Sequence, residues 1–198
     1  MPEMVDLAPA AAQLAALLGR IRDDQLTAPT PCAPSTLGDL VDHVAGLSRA
    51  FTDAATKDLG QTTGAPPAPD AARLAADWRT RIPAQLDALA AAWAEPPAWQ
   101  GMTQAGGVTL PAEVAGHVAL HELVLHGWDI ARASGQPFDS DPGTLHTCLE
   151  SVSAMYPPDK PERREGVFGP AVEVPADAEL VDRVVGLAGR DPAWKPPH

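Results

Sequence analysis

The sequence predicts an all-α fold: a four-helix bundle carrying additional short helices and a short extended C-terminal segment. Three observations predict it. Apolar residues recur at three- and four-residue spacing over several long windows. Those windows are parted by Pro- and Gly-rich breaks rather than by strand-like alternation. The loops between successive windows are short, which favours helices packed as antiparallel neighbours.

Taken in order, residues 7–21 place Leu14, Leu17, Leu18 and Ile21 on one helical stripe. Three prolines in Thr27–Pro34 break the chain, and Ser35 is a candidate N-cap for a second helix reaching Lys57, with Leu37, Leu40, Val41, Val44, Leu47 and Phe51 apolar. A Pro/Gly/Thr loop follows over residues 60–69. A third helix is predicted over 70–93, kinked or split by Pro83. Residues 95–109 are interrupted by Pro and Gly and have room for a short extended piece. Pro111 suits the first turn of a fourth helix, and Gly135 its left-handed C-terminal cap. A fifth helix is predicted over 141–155. The charged run Asp159–Glu165 reads as a solvated loop, 166–178 as extended chain, 178–187 as a short helix, and 191–198 as a frayed tail. Residues 1–158 are expected to form the helical bundle, with 159–198 an extension packed on the same domain.

Composition narrows the function classes. The chain has 198 residues, the usual size of one domain, with a formal net charge of −12 from 14 Lys and Arg against 26 Asp and Glu. Glycine (16) and proline (22) together stay below the roughly 25–30% typical of low-complexity disorder. An acidic chain without basic clusters is a poor match for nucleic acid or an anionic membrane surface. No apolar run approaches the ~18–20 residues that span a bilayer. The acidic start lacks the basic region of a secretory signal, and two cysteines are too few for a disulfide framework. The expectation is a soluble cytoplasmic protein, monomeric or homodimeric.

The chemistry-bearing stretch is Gly116–Ala133 on the predicted fourth helix, with His117, His121, Glu122, His126 and Asp129. At about 100° per residue, Glu122 and His126 lie one turn apart on one stripe, offering two ligands at adjoining corners of a metal site. His117 and His121 make a second such pair, rotated roughly 100° around the same helix. A metal held by either pair needs a ligand from elsewhere. His43, on an apolar face of the second helix with Leu40, Val44 and Leu47, is the obvious partner, because a buried imidazole must be hydrogen-bonded or coordinated. The competing reading is a solvated or core-satisfied histidine cluster, since Glu and His four residues apart are common on helix surfaces. His146 and His198 have no comparable context. Cys32 precedes the second helix, where the helix dipole could lower its thiol pKa, but a packed structural thiol is the favoured reading. A Cys32–Cys148 bridge is disfavoured in a reducing compartment. Trp128 reads as core or pocket wall.

Three blocks, Pro29–Gly46, His121–Gln136 and Phe168–Pro192, together resemble the DinB-like superfamily, in particular the branch containing mycothiol-dependent maleylpyruvate isomerase and short actinobacterial-type relatives. The resemblance implies a DinB-like four-helix bundle holding one divalent metal, zinc foremost, with nickel, iron or manganese as others. Its ligands are one His of the second helix and a Glu-x-x-x-His pair of the fourth, here His43, Glu122 and His126. His117 and His121 then fall outside the ligand set, in its surroundings or on the surface. Asp129 either orients a ligand imidazole through its other ring nitrogen or pairs with Arg132. The chain departs from the pattern twice. Ala33-Pro34-Ser35 stands where the family carries an aromatic, and residues 156–198 stand where the larger isomerases have a substantial C-terminal domain.

The function so implied is that of a metal-dependent enzyme using a low-molecular-weight thiol, a mycothiol-dependent S-transferase or a maleylpyruvate isomerase-like catalyst. Its partners would be mycothiol as co-substrate and a small electrophile. The alternatives are a non-catalytic metal-binding helical module with a binding or regulatory role, and a structural bundle whose histidines bind nothing.

Overall fold

A computed structural model describes residues 4–196. Four helices form the bundle: α1 (Ala8–Leu18), α2 (Leu37–Thr56), α3 (Trp78–Trp93) and α4 (Ala112–Ser134). Helices α2 and α1 each pack against both α3 and α4. Two further helices, α5 (Pro142–Met155) and α6 (Leu180–Leu187), pack on each other, and α5 also rests on α4. The core these helices enclose includes Leu14, Leu18, Leu40, Ile82, Leu86, Leu120 and Ile130, all essentially without solvent contact.

Local sequence explains where α2 starts. Its N-cap is Thr36 rather than Ser35, because Asp39 stands three residues on and completes a capping box. Thr36 Oγ1 accepts from the Asp39 N–H at 3.2 Å and Asp39 Oδ2 accepts from the Thr36 N–H at 2.9 Å. Ser35 instead uses its carbonyl, which accepts from the Thr30 hydroxyl.

Residues 70–93 are not one helix. Asp70 caps a single 3₁₀ turn, Ala71–Arg73, and α3 begins only at Trp78. Pro83 neither splits nor ends α3. It lies in the second turn, where its ring forgoes a single helical donor while Ile82 and Leu86 on either side are anchored in the core. The break between residues 95 and 109 contains a β-hairpin, β1 (Met102–Ala105) with β2 (Val108–Pro111), paired from Met102↔Pro111 to Ala105↔Val108. Its turn is Gly106-Gly107, both at positive φ, which suits the right-handed twist of a two-residue hairpin. Gly135, at φ 72°, ends α4 in the left-handed conformation.

Beyond α5 the chain is better anchored than its composition suggests. The run Asp159–Glu165 is largely exposed, but Arg164 is buried and donates at 2.7 Å to each of three carbonyls, those of Tyr156, Gly169 and Leu187. A guanidinium carries five donors in a planar fork, so one side chain can tie three strands of irregular backbone together. The final segment is held as well: Arg132 donates to the Pro192 carbonyl and Trp194 packs on the core. His198 lies outside the described residues.

Candidate functional site

The neighbouring faces of α2 and α4 bring His43, Glu122 and His126 together, each offering one ligand atom within 4.8 Å of the other two. His43 is partly buried, and its Nδ1–H donates to the Pro67 carbonyl at 2.9 Å, leaving Nε2 without a proton. Its ring meets that of His126 edge to face, with centroids 5.0 Å apart at 85°. On α4, one turn separates Glu122 Oε2 from His126 Nε2, at 2.8 Å. The packing of α2 on α4 holds the trio in place, with Leu40 and Val44 on α2 and Leu123 and Val124 on α4 buried next to it in the sequence.

Charge is concentrated here. Burial alone disfavours a charged His126, but hydrogen bonds to Asp129 and Glu122 outweigh it and raise its pKa to about 9. Burial likewise opposes ionisation of Glu122, and the His126 hydrogen bond overrides it, holding the carboxyl well below its usual range. His43 moves the other way, lowered by burial and by the neighbouring His126 charge. Two imidazoles and a carboxylate around one point are the donor types that suit a borderline divalent cation such as zinc, and the electron-rich Nε2 of His43 and the Glu122 carboxylate fit such an ion.

The far side of His126 is equally constrained. Its Nδ1 lies 3.1 Å from Asp129 Oδ2, and Asp129 is completely buried. The other partner of Asp129 is Arg190, not Arg132: Arg190 Nη2 reaches Oδ2 at 3.1 Å. Arg132 instead stacks over the Trp128 ring at 5.3 Å. Cys32 approaches the same place, its sulfur within 4.8 Å of ligand atoms of His126 and Asp129. Its thiol is not activated by the helix dipole. Burial first, and the Asp129 charge second, push its pKa up. Both cysteines are free thiols, Cys148 fully buried.

His117 and His121 turn away from this group. His117 meets Trp99 edge to face at 6.1 Å. His121 is no surface residue. It is buried, and its Nε2 lies 2.6 Å from the hydroxyl of Ser151, on α5. Trp128 is buried in the core. The residue that sequence reasoning missed is Arg190. It stands 61 positions from Asp129, and no periodicity connects the two.

One small space reaches the site, and a larger one lies away from it. A cavity of about 680 Å³ lies between α5, α6 and residues 165–174, with Leu149, Arg164, Phe168, Val172, Arg183 and Leu187 among its walls. It includes none of His43, Glu122 and His126. A gap of about 10 Å³ among Val44, Phe51, Ala119 and Leu123 does reach Glu122. Among the described residues, no helix is long and apolar enough to cross a membrane.

Known proteins share this framework. Two uncharacterized proteins of Mycobacterium tuberculosis, from strains CDC 1551 / Oshkosh and ATCC 25618 / H37Rv, are each 32% identical to this chain over 155 residues, covering 73% of it and 74% of their own length. The crystal structure of the mycothiol-dependent maleylpyruvate isomerase superposes with a TM-score of 0.57 at 19% identity, over 74% of this chain and 66% of that one. This likeness shows a shared fold, and the chain spans just under two thirds of that protein. The model of the mycothiol maleylpyruvate isomerase N-terminal domain matches residues 7–131, which hold all four bundle helices through most of α4, and the chain therefore belongs to that family.

Proposed function

We propose that the protein is a metal-dependent enzyme that uses a low-molecular-weight thiol, mycothiol by family, against a small electrophile, as an S-transferase or a maleylpyruvate isomerase-like catalyst. His43, Glu122 and His126 hold one divalent cation, zinc foremost. The observation that supports this is the convergence of three ligand atoms from α2 and α4 within 4.8 Å. A cation held there supplies Lewis acidity that makes a small thiol a nucleophile at neutral pH. The chain's own residues prepare the place: the Pro67 carbonyl selects the His43 tautomer with Nε2 unprotonated, and Asp129 anchors the far nitrogen of the His126 ring. Three protein ligands leave positions free for small molecules, as in catalytic rather than structural sites.

The second reading is a non-catalytic metal-binding module. The position of the 680 Å³ cavity favours it, because that space is lined by none of His43, Glu122 and His126. One experiment separates the readings. Elemental analysis of purified protein, followed by thiol consumption with mycothiol and simpler thiols against maleylpyruvate-like and halogenated electrophiles, is expected to show metal-dependent turnover. Stoichiometric metal without turnover across the panel selects the module. Absence of any bound metal rejects both.

A further inference from the structure

We propose that Arg190, carried by the C-terminal segment, is a positioning residue for His126 and acts through Asp129. The inference rests on the reading of His126 as a metal ligand, and it concerns a residue beyond the stretch 7–131 that the family model matches.

The geometry is a chain of three side chains from two distant parts of the sequence. Arg190 reaches Asp129 with Nη2 to Oδ2 at 3.1 Å and Nε to Oδ1 at 3.4 Å, a two-pronged grip on one carboxylate. The same Oδ2 lies 3.1 Å from His126 Nδ1. Asp129 has no solvent contact, and its carboxylate is held by hydrogen bonds to these two partners. A buried carboxylate is costly without a compensating cation. Arg190 supplies that cation, so Asp129 can accept the Nδ1–H of His126, with Nε2 turned toward Glu122 and His43. Partners in such outer positions fix the tautomer and ring orientation of a ligating histidine.

Arg190 is itself fixed from the tail. Its N–H donates to the Val185 carbonyl at 2.9 Å, its Nη1 donates to the Ala188 carbonyl at 3.1 Å, and its guanidinium lies 5.9 Å from the Phe168 ring centroid. Gly189, at φ 80°, turns the chain just before it, with the Gly169 carbonyl 2.9 Å from where a side chain would begin. The end of α6 thus aims one arginine at the helix that carries Glu122 and His126.

The test compares Arg190→Gln, which removes the charge, with Arg190→Lys, which keeps it, using Co²⁺ as a spectroscopic probe on the full chain. Arg190→Gln is expected to weaken Co²⁺ binding by about 10–100-fold and to alter its visible spectrum, with Arg190→Lys restoring most of the affinity. A folded Arg190→Gln protein that binds Co²⁺ with parental affinity and spectrum overturns the proposal. Should Arg190→Gln not fold, the double variant Asp129→Asn/Arg190→Gln is compared with Asp129→Asn. Equal affinity supports action through Asp129, and a further tenfold loss overturns it. Should the parent bind no Co²⁺, the metal reading fails separately. The positioning claim is then judged on the metal-free protein, where the imidazole ¹⁵N resonances of His126 are expected to move in the charge-removing variant, and unchanged resonances overturn it.

Discussion

The imidazole rings of His43 and His126 meet edge to face across the α2–α4 packing seam, 5.0 Å between centroids, although 83 positions separate them in the chain. Neither ring is held by the other. His43 is held by the Pro67 carbonyl and His126 by Asp129 and Glu122, so each helix brings a separately anchored candidate ligand to the seam.

Replacing His43 with alanine is therefore expected to abolish stoichiometric metal binding while leaving the bundle folded. Loss of a ligand should exceed the roughly 10–100-fold cost of losing an outer partner. His43 is only partly buried and makes one hydrogen bond to a loop, so circular dichroism should stay helical. Metal content by elemental analysis, read beside the far-ultraviolet spectrum, checks both halves.

Chelation should lower the thermal midpoint. A cation bound to the native chain alone, at a hundred times its dissociation constant, stabilises by about 2.7 kcal/mol. For a chain of this size that is roughly 5–10 °C. Calorimetry before and after chelation, with metal loss verified, gives the answer, and an unchanged midpoint contradicts the site.

Gly116 is expected to tolerate no side chain. A Cβ there would stand 2.4 Å from the Trp99 ring and 3.0 Å from that of Trp93. Both indoles are locked, Trp93 Nε1 to the Phe51 carbonyl at 3.0 Å and Trp99 Nε1 to the Trp93 carbonyl at 2.7 Å, so neither can retreat cheaply. Gly116→Ala should cost about 1–3 kcal/mol in urea denaturation despite alanine's better helix propensity.

Cys148 should make stability fall in alkali. Burial raises its thiol from the ordinary 9.0 to about 12, so the folded chain holds this proton more tightly than the unfolded one. The resulting stabilisation is complete below about pH 9 and is lost as pH climbs from about 9 toward about 12, at up to about 1.4 kcal/mol per pH unit. Cys148→Ala has no such titration. The stability difference between parent and variant is expected to shrink between about pH 8 and about pH 10.5, and a constant difference refutes the assignment.

Much of this was legible along the chain. The bundle helices announced themselves by periodicity, and Gly135 and Asp141 marked real ends, the first at φ 72° and the second accepting from the Thr144 N–H at 2.8 Å. Glu122 and His126 were legible as a pair because four residues make about one helical turn. The start of α3 was not, since Asp70 caps a 3₁₀ turn that local pattern cannot tell from a first α-helical turn. The dipole argument for Cys32 fails for a similar reason. A position before a helix suggests a lowered thiol pKa, whereas the carboxylate of Asp129, brought in by another helix, joins burial in raising it.

The sequence by itself determined the all-α class, the order of the helices and the stripe on α4 that pairs Glu122 with His126, because these depend on residues a few positions apart. Only the tertiary structure decided which way each imidazole faces and what holds it there. Whether His121 meets solvent or Ser151, whether Asp129 pairs with Arg132 or Arg190, and where the Nδ1 proton of His43 goes are set by atoms tens of positions distant. Such contacts arise from packing of buried surfaces, and a buried polar group takes whichever partner that packing puts within 3 Å or so of it.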